Sequence, residues 1–132
     1  MSPEDYKKHG EEFRRRSSIH SVRRKEIVQK VAEFLSAFYD LSSLELKSSR
    51  RKEACLARSM GYYVLGEIGV FQRDILDFFG VSRQSYSKGR NKIQKALQEG
   101  KLTAIAEKNI VFMIAQVKQD YDKELIKIIT HE

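Results

Sequence analysis

The sequence predicts an all-α fold, and three observations carry that expectation. The only proline is Pro3, so nearly the whole chain is free of the residue that most disrupts a helix. The seven glycines are scattered, which leaves long stretches without a breaker. Between them the apolar residues recur every three or four positions, the period of a helix with one buried face. At 132 residues and 41 % hydrophobic composition the chain suits one domain with an appended arm and is too short for two catalytic domains.

Residues 1–20 are polar and charge-mixed, with an Arg14-Arg15-Arg16 run and little apolar periodicity, and are expected to form an arm that orders only with a partner. Over residues 22–39 Ile27, Val28, Val31, Leu35, Phe38 and Tyr39 form one helical stripe. Ser42 and Glu45 have capping-box spacing and introduce a one-turn helix with Leu44 and Leu46. A basic loop, Lys47-Ser48-Ser49-Arg50-Arg51-Lys52, leads into a helix whose core side is Leu56, Met60, Tyr63 and Val64, stopped by Gly66 and Gly69. Residues 72–79 hold Ile75, Leu76, Phe78 and Phe79 and end at Gly80, a short buried helix with a glycine turn. Ser82 caps the next helix, 82–99, which buries Tyr86, Gly89, Ile93, Ala96 and Leu97 before Gly100. A last helix over 103–128 carries Ile110, Ile114, Val117, Tyr121, Leu125 and Ile128. Val111, Phe112 and Met113 widen its apolar surface, so it either closes the core or pairs with a second copy through residues 105–128.

The charge is positive overall, with 25 Lys plus Arg against 18 Asp plus Glu, and it is clustered. Residues 47–58 carry five basic and one acidic side chain, and 82–101 carry six and one. Residues 1–25 carry eight and four, whereas the stretches between these blocks are mildly acidic. Basic blocks of this kind are an electrostatic footprint for polyanions.

The span 74–88 reads as a helix-turn-helix: a short apolar helix, a glycine turn, buried Val81, capping Ser82 and a polar helix with one buried aromatic, Tyr86. With Tyr86, Gly89, Ile93 and Leu97 on one face, Gln84, Lys88, Asn91 and Lys95 fall opposite, flanked by Ser85, Ser87 and Lys92. Gln and Asn match adenine and Lys and Arg match guanine, so Arg83, Gln84, Lys88 and Asn91 are the expected base readers. The helix start and basic loop suit phosphate, which assigns Lys47, Ser49, Arg50, Arg51, Ser82 and Ser85 to the DNA backbone, and the cations Lys92 and Lys95 further along the helix are expected to join them.

Residues 27–97 also resemble the C-terminal DNA-binding domain of the bacterial replication initiator DnaA, a Trp-repressor-like helical domain. The resemblance runs through Val28 and Val31, then Leu44-Glu45-Leu46-Lys47-Ser48-Ser49-Arg50-Arg51, then Ala57-Arg58-Ser59-Met60-Gly61-Tyr62-Tyr63-Val64, Asp74-Ile75 and Phe79-Gly80. It implies that Arg50, Arg51 and Arg58 hold the DNA backbone. The family's Gly-Gly-Arg-Asp-His-Thr-Thr signature is replaced by Gly80-Val81-Ser82-Arg83-Gln84-Ser85-Tyr86, one residue shorter in alignment, and the stretch from Val81-Ser82 to Ser87-Lys88 looks closer to the DnaA-like domains at the end of some transposon-related proteins and to generic regulators. No ATPase portion accompanies the resemblance. Gly61 and Gly66 have the first spacing of a phosphate-binding loop, but Glu67 and Ile68 stand where Lys and Ser/Thr are required, so no nucleotide is expected.

Catalytic chemistry finds little footing. His9, His20 and His131 lie in the arm and tail without a partner at metal spacing. Cys55 has no second cysteine and is expected to pack rather than react. Gly66-Glu67-Ile68-Gly69 outlines an RNA-clamping loop with the wrong middle residues. The longest apolar run, 110–115, is far short of the roughly 20 residues that cross a bilayer. These readings converge on an arm (1–20), a helix-turn-helix DNA-binding domain (21–100) and an amphipathic C-terminal helix (101–132). The expected protein is cytoplasmic and nucleoid-associated, has no cofactor or metal, and is not an enzyme. It binds double-stranded DNA in replication control, transcription regulation or a mobile element. The competing expectation is a non-catalytic helical adaptor that binds a protein through its C-terminal helix.

Overall fold

The computed structural model describes residues 24–130. Those residues form six α-helices and no strand: α1 (Arg24–Tyr39), α2 (Ser43–Ser48), α3 (Lys52–Ile68), α4 (Gln72–Phe79), α5 (Arg83–Gln98) and α6 (Ala104–Thr130). The all-α class read from the sequence is the class observed. The arm expected at 1–20 and the three histidines lie outside the described residues.

α3 is the hub, touching each of the other five helices. Its buried residues, Ala54, Ala57, Met60, Gly61, Tyr62, Val64 and Leu65, run around most of its circumference. The expected single stripe is therefore corrected: Tyr62 is the buried tyrosine, while Leu56 and Tyr63 are only partly buried. A helix covered on several sides has no one apolar face to read. α3 also passes through Gly66 and stops only at Gly69, where φ is +97° and the Val70 N-H returns to the Leu65 carbonyl at 3.0 Å.

α1 buries Val28, Val31, Ala32 and Leu35, with Leu35 against Gly61 of α3. Phe38, expected in that stripe, is surface-exposed and forms an aromatic cluster with Phe34 and Phe112 of α6, ring centroids 5.4–6.1 Å apart. Tyr39 is half-buried; its hydroxyl donates to Met60 Sδ at 2.8 Å, and burial pushes its pKa up despite a hydrogen bond with Asn109. The chain then turns through Asp40, a non-glycine residue at φ +52°, so that the Leu41 N-H reaches the Ser36 carbonyl at 2.9 Å.

The expected capping box opens α2: the Glu45 N-H donates to Ser42 Oγ at 3.1 Å and the Ser42 N-H to Glu45 Oε1 at 3.2 Å. Leu46 is buried, but Leu44 is 74 % exposed. α6 is capped by Thr103, whose hydroxyl accepts from the Ala106 N-H at 3.2 Å. It lies antiparallel to α1, since Phe112 meets Phe34 and Phe38 while Asp120 pairs with Lys30 further back along α1. Ala106, Ile110, Met113 and Val117 are buried, so this part of α6 closes the core. Met113 thus belongs inside, contrary to its expected place on the widened surface, whereas Val111 and Phe112 are exposed. The side chains of Tyr121, Leu125 and Ile128 lie outside the described residues. Among the described residues no helix is long and apolar enough to cross a membrane.

Candidate nucleic-acid interface

α4 and α5 are joined by a tight turn built from two local devices. Gly80 takes φ +64°, a left-handed value that suits glycine, and its N-H and that of Val81 both return to the Leu76 carbonyl, at 2.8 and 3.2 Å. Ser82 then caps α5, its Oγ accepting from the Ser85 N-H at 3.2 Å. These are the turn and the cap that the sequence led one to expect.

One ring of α3 relates the two helices to each other. Tyr62 meets Phe79 of α4 edge-on at 5.2 Å and Tyr86 of α5 at 5.5 Å. Burial of the Tyr62 phenol raises its pKa, so the neutral ring stays in place across the ordinary pH range. α5 approaches α3 closely where Gly89 sits over the ring, since a Cβ there would be 2.9 Å from Tyr62 Cδ2 and 3.0 Å from Ser59 Oγ. Beyond Gly89, Ile93 is fully buried. Arg90 fastens the edge of this contact. Its Nη1 donates to the Tyr86 hydroxyl at 3.2 Å and its Nη2 lies 3.7 Å from the Glu67 carboxylate.

With its inner face packed, α5 presents its outer face to solvent. Gln84, Lys88, Asn91 and Lys95 are all exposed and fall within a sector of about 60° at 3.6 residues per turn. Arg83, Ser85, Ser87 and Lys92 are exposed on either side. α5 contains five basic residues and no acidic one.

The expected basic loop 47–52 is shorter than its charge run, since Lys47 and Ser48 end α2 and Lys52 opens α3; the end of α2 leans toward α4, where the Lys47 ammonium sits 4.1 Å from the centre of the Phe78 ring. Ser49 Oγ accepts from the Arg51 N-H at 3.2 Å and shapes the loop. Arg50 is exposed. Arg51 is the N-cap of α3 and makes no side-chain capping bond; its guanidinium lies 3.5 Å from Glu45. Hydrogen bonding from Ser42 holds the Glu45 carboxyl below its ordinary value, with Arg51 adding to the effect.

Arg58 has a second attachment that sequence reasoning missed. Partly buried, it donates from Nη1 to the Leu46 carbonyl at 2.9 Å and from Nη2 to Cys55 Sγ at 3.3 Å, bolting α2 onto α3. Cys55 itself is exposed, which corrects its expected place in the packing. Also missed were Tyr62 and Arg90, which place α5 without facing outward. Arg90 had one legible signal, its position four residues after Tyr86 on the edge of the buried face. Its crossing of Gly66 had none, because local sequence carries no trace of a contact between separate helices.

Ser82 and Ser85 both serve the α5 start, with their hydroxyls 3.1 Å apart. Among the described residues no three His, Cys, Asp or Glu side chains gather to hold a metal ion. Comparison with protein-family models, curated proteins and solved structures finds no match to this chain.

Proposed function

We propose that this chain binds double-stranded DNA, with α4, the Gly80 turn and α5 acting as a helix-turn-helix of the Trp-repressor-like, DnaA C-terminal type and α5 entering the major groove. The observation that carries this reading is the division of α5. Its inner face is fixed on α3 through Tyr86, Gly89 and Ile93, and its outer face offers Gln84, Lys88, Asn91 and Lys95 with no acidic residue in the helix. A rigidly mounted row of amide and cationic side chains suits base-edge recognition better than it suits core packing or catalysis.

In this reading Arg83, Gln84, Lys88 and Asn91 read bases. Lys92, Lys95 and the first turn at Ser82 and Ser85 meet phosphates beside the groove. Lys47, Ser49, Arg50 and Arg51 take phosphates at the α2–α3 loop, with Arg58 supporting the loop and lending its free N-H groups. The setting is replication control, transcription regulation or a mobile element. Titration of labelled duplexes at several salt concentrations tests the reading: four to six phosphate contacts give a log-log slope of about -0.9 per contact. Affinity that does not respond to salt would sink it.

The exposed Ile105, Val111 and Phe112 on α6 favour a second reading, an adaptor that docks a protein on that helix. The same titration separates the two, since an adaptor holds DNA without sequence preference or not at all.

A further inference from the structure

α6 has a second edge that the core leaves unused. Ala106, Ile110, Met113 and Val117 are buried, while about 140° around the helix Val111 is 67 % exposed and Ala115 and Lys118 are exposed with it. These three positions are spaced four and three apart, and the same spacing continues through Asp122, Leu125 and Ile129 before α6 ends at Thr130. Sustained alternation of four and three is the seam of a coiled coil, and at Val111, Ala115 and Lys118 it lies away from the monomer's own core.

We infer that this seam is the interface of an antiparallel homodimer, α6 against α6 of a second copy, about a two-fold axis beside residue 120. That axis sets Val111 opposite Ile129 of the second copy, Ala115 opposite Leu125, and Lys118 opposite Asp122, each pairing occurring twice by symmetry. Apolar meets apolar, small meets large and cation meets anion. No neighbouring arrangement does this. A parallel pair stacks Lys118 on Lys118 and Asp122 on Asp122. Shifting the antiparallel register by one seam repeat puts Val111 on Asp122 and Ala115 on Lys118, or Lys118 on Ile129 and Asp122 on Leu125. A polar pair within an apolar seam fixes register in this way, because each slipped alternative strands a charge against an aliphatic side chain. The overlap of the two helices, from residue 111 to residue 129, is about 27 Å, and each helix is anchored in its own fold through Ala106, Ile110, Met113 and Val117. The dimer is independent of the DNA-binding reading.

Charge reversal in the full chain tests it, because the pair is self-complementary. Wild type, Lys118→Asp, Asp122→Lys and the double variant Lys118→Asp/Asp122→Lys are compared by sedimentation equilibrium at tens of micromolar, with far-UV circular dichroism confirming the helical fold. The wild type is expected to sediment as a dimer. Each single reversal sets like charges together and weakens self-association by about tenfold or more, and the double reversal restores it. A monomeric wild type overturns the proposal. So does a double variant as weak as the singles, since that result places the two residues out of register.

Discussion

Arg90 of α5 lies over Gly66 of α3 so closely that a Cβ on Gly66 would come 2.7 Å from Arg90 Cζ. From there the guanidinium reaches both Tyr86 and Glu67, tying the outer helix to the hub. A second close approach, Gly89 over Tyr62, has similar distances but different neighbours. What decides the cost of filling each gap is whether the neighbour can move.

We predict that Gly66→Ala and Gly89→Ala differ in stability. At Gly66 the obstacle is the end of a flexible side chain; it can swing out, losing a partly exposed ion pair worth at most about 1 kcal/mol, while the helix gains about 1 kcal/mol from replacing glycine. The variant should unfold in urea within about 1 kcal/mol of wild type. At Gly89 the obstacle is a buried ring held between Phe79 and Tyr86, so α5 must lift; overpacking of roughly 1–3 kcal/mol, set against the same helix gain of about 1 kcal/mol, leaves a net loss of up to about 2 kcal/mol. Equal stabilities for the two variants would mean that Tyr62 is not the rigid support described.

This contrast also shows what could be read in the sequence. Local signals were legible: the Ser42–Glu45 box, the Gly80 turn, the Ser82 cap and the exposure of Gln84, Lys88, Asn91 and Lys95 all follow from spacing within one helix or turn. Packing between helices was not. Gly66 looks like a helix stop until Arg90 is placed over it, and Tyr62 cannot be told from Tyr63 on a helix buried on several sides. Arg58 looks like a phosphate ligand because its charge is legible, while its bond to the Leu46 carbonyl is not.

The capping box of α2 makes stability depend on pH. In the folded chain the Glu45 carboxyl titrates below its ordinary 4.5, chiefly because it accepts the Ser42 N-H. Its contribution is therefore fully present above the unfolded value and is lost as pH falls through the lower, folded one. Wild type should melt higher than Glu45→Gln at neutral pH, and the two should converge in acid. Melting curves that stay equally separated at every pH would show that the carboxylate charge plays no part.

Arg50 and Arg51 should separate cleanly from Arg58. We predict that Arg50→Ala/Arg51→Ala weakens binding alike on every duplex and reduces the salt slope by about 0.9 for each phosphate that is no longer neutralised. Its urea midpoint should barely move, because both side chains are exposed. Arg58→Ala leaves the Leu46 carbonyl without that donor, which costs about 1–3 kcal/mol in stability if no water replaces it. Unchanged binding in the double variant would remove the loop from the interface.

The outer face of α5 should carry sequence preference, and the test must distinguish reading from mere attraction. Gln84 and Asn91 are uncharged, so replacing either by Ala leaves the electrostatic contribution intact and should cost about 1–3 kcal/mol on the preferred duplex, with little change on others. Lys88 mixes both effects: Lys88→Ala should lose affinity everywhere through charge and lose more on the preferred site. Selection from random duplexes with each variant gives the comparison. The assignment predicts that Gln84→Ala and Asn91→Ala relax different base positions, because they stand about two helical turns apart. If Gln84→Ala, Lys88→Ala and Asn91→Ala all select the wild-type motif with undiminished stringency, α5 does not read the groove, and its basic face is only an electrostatic surface.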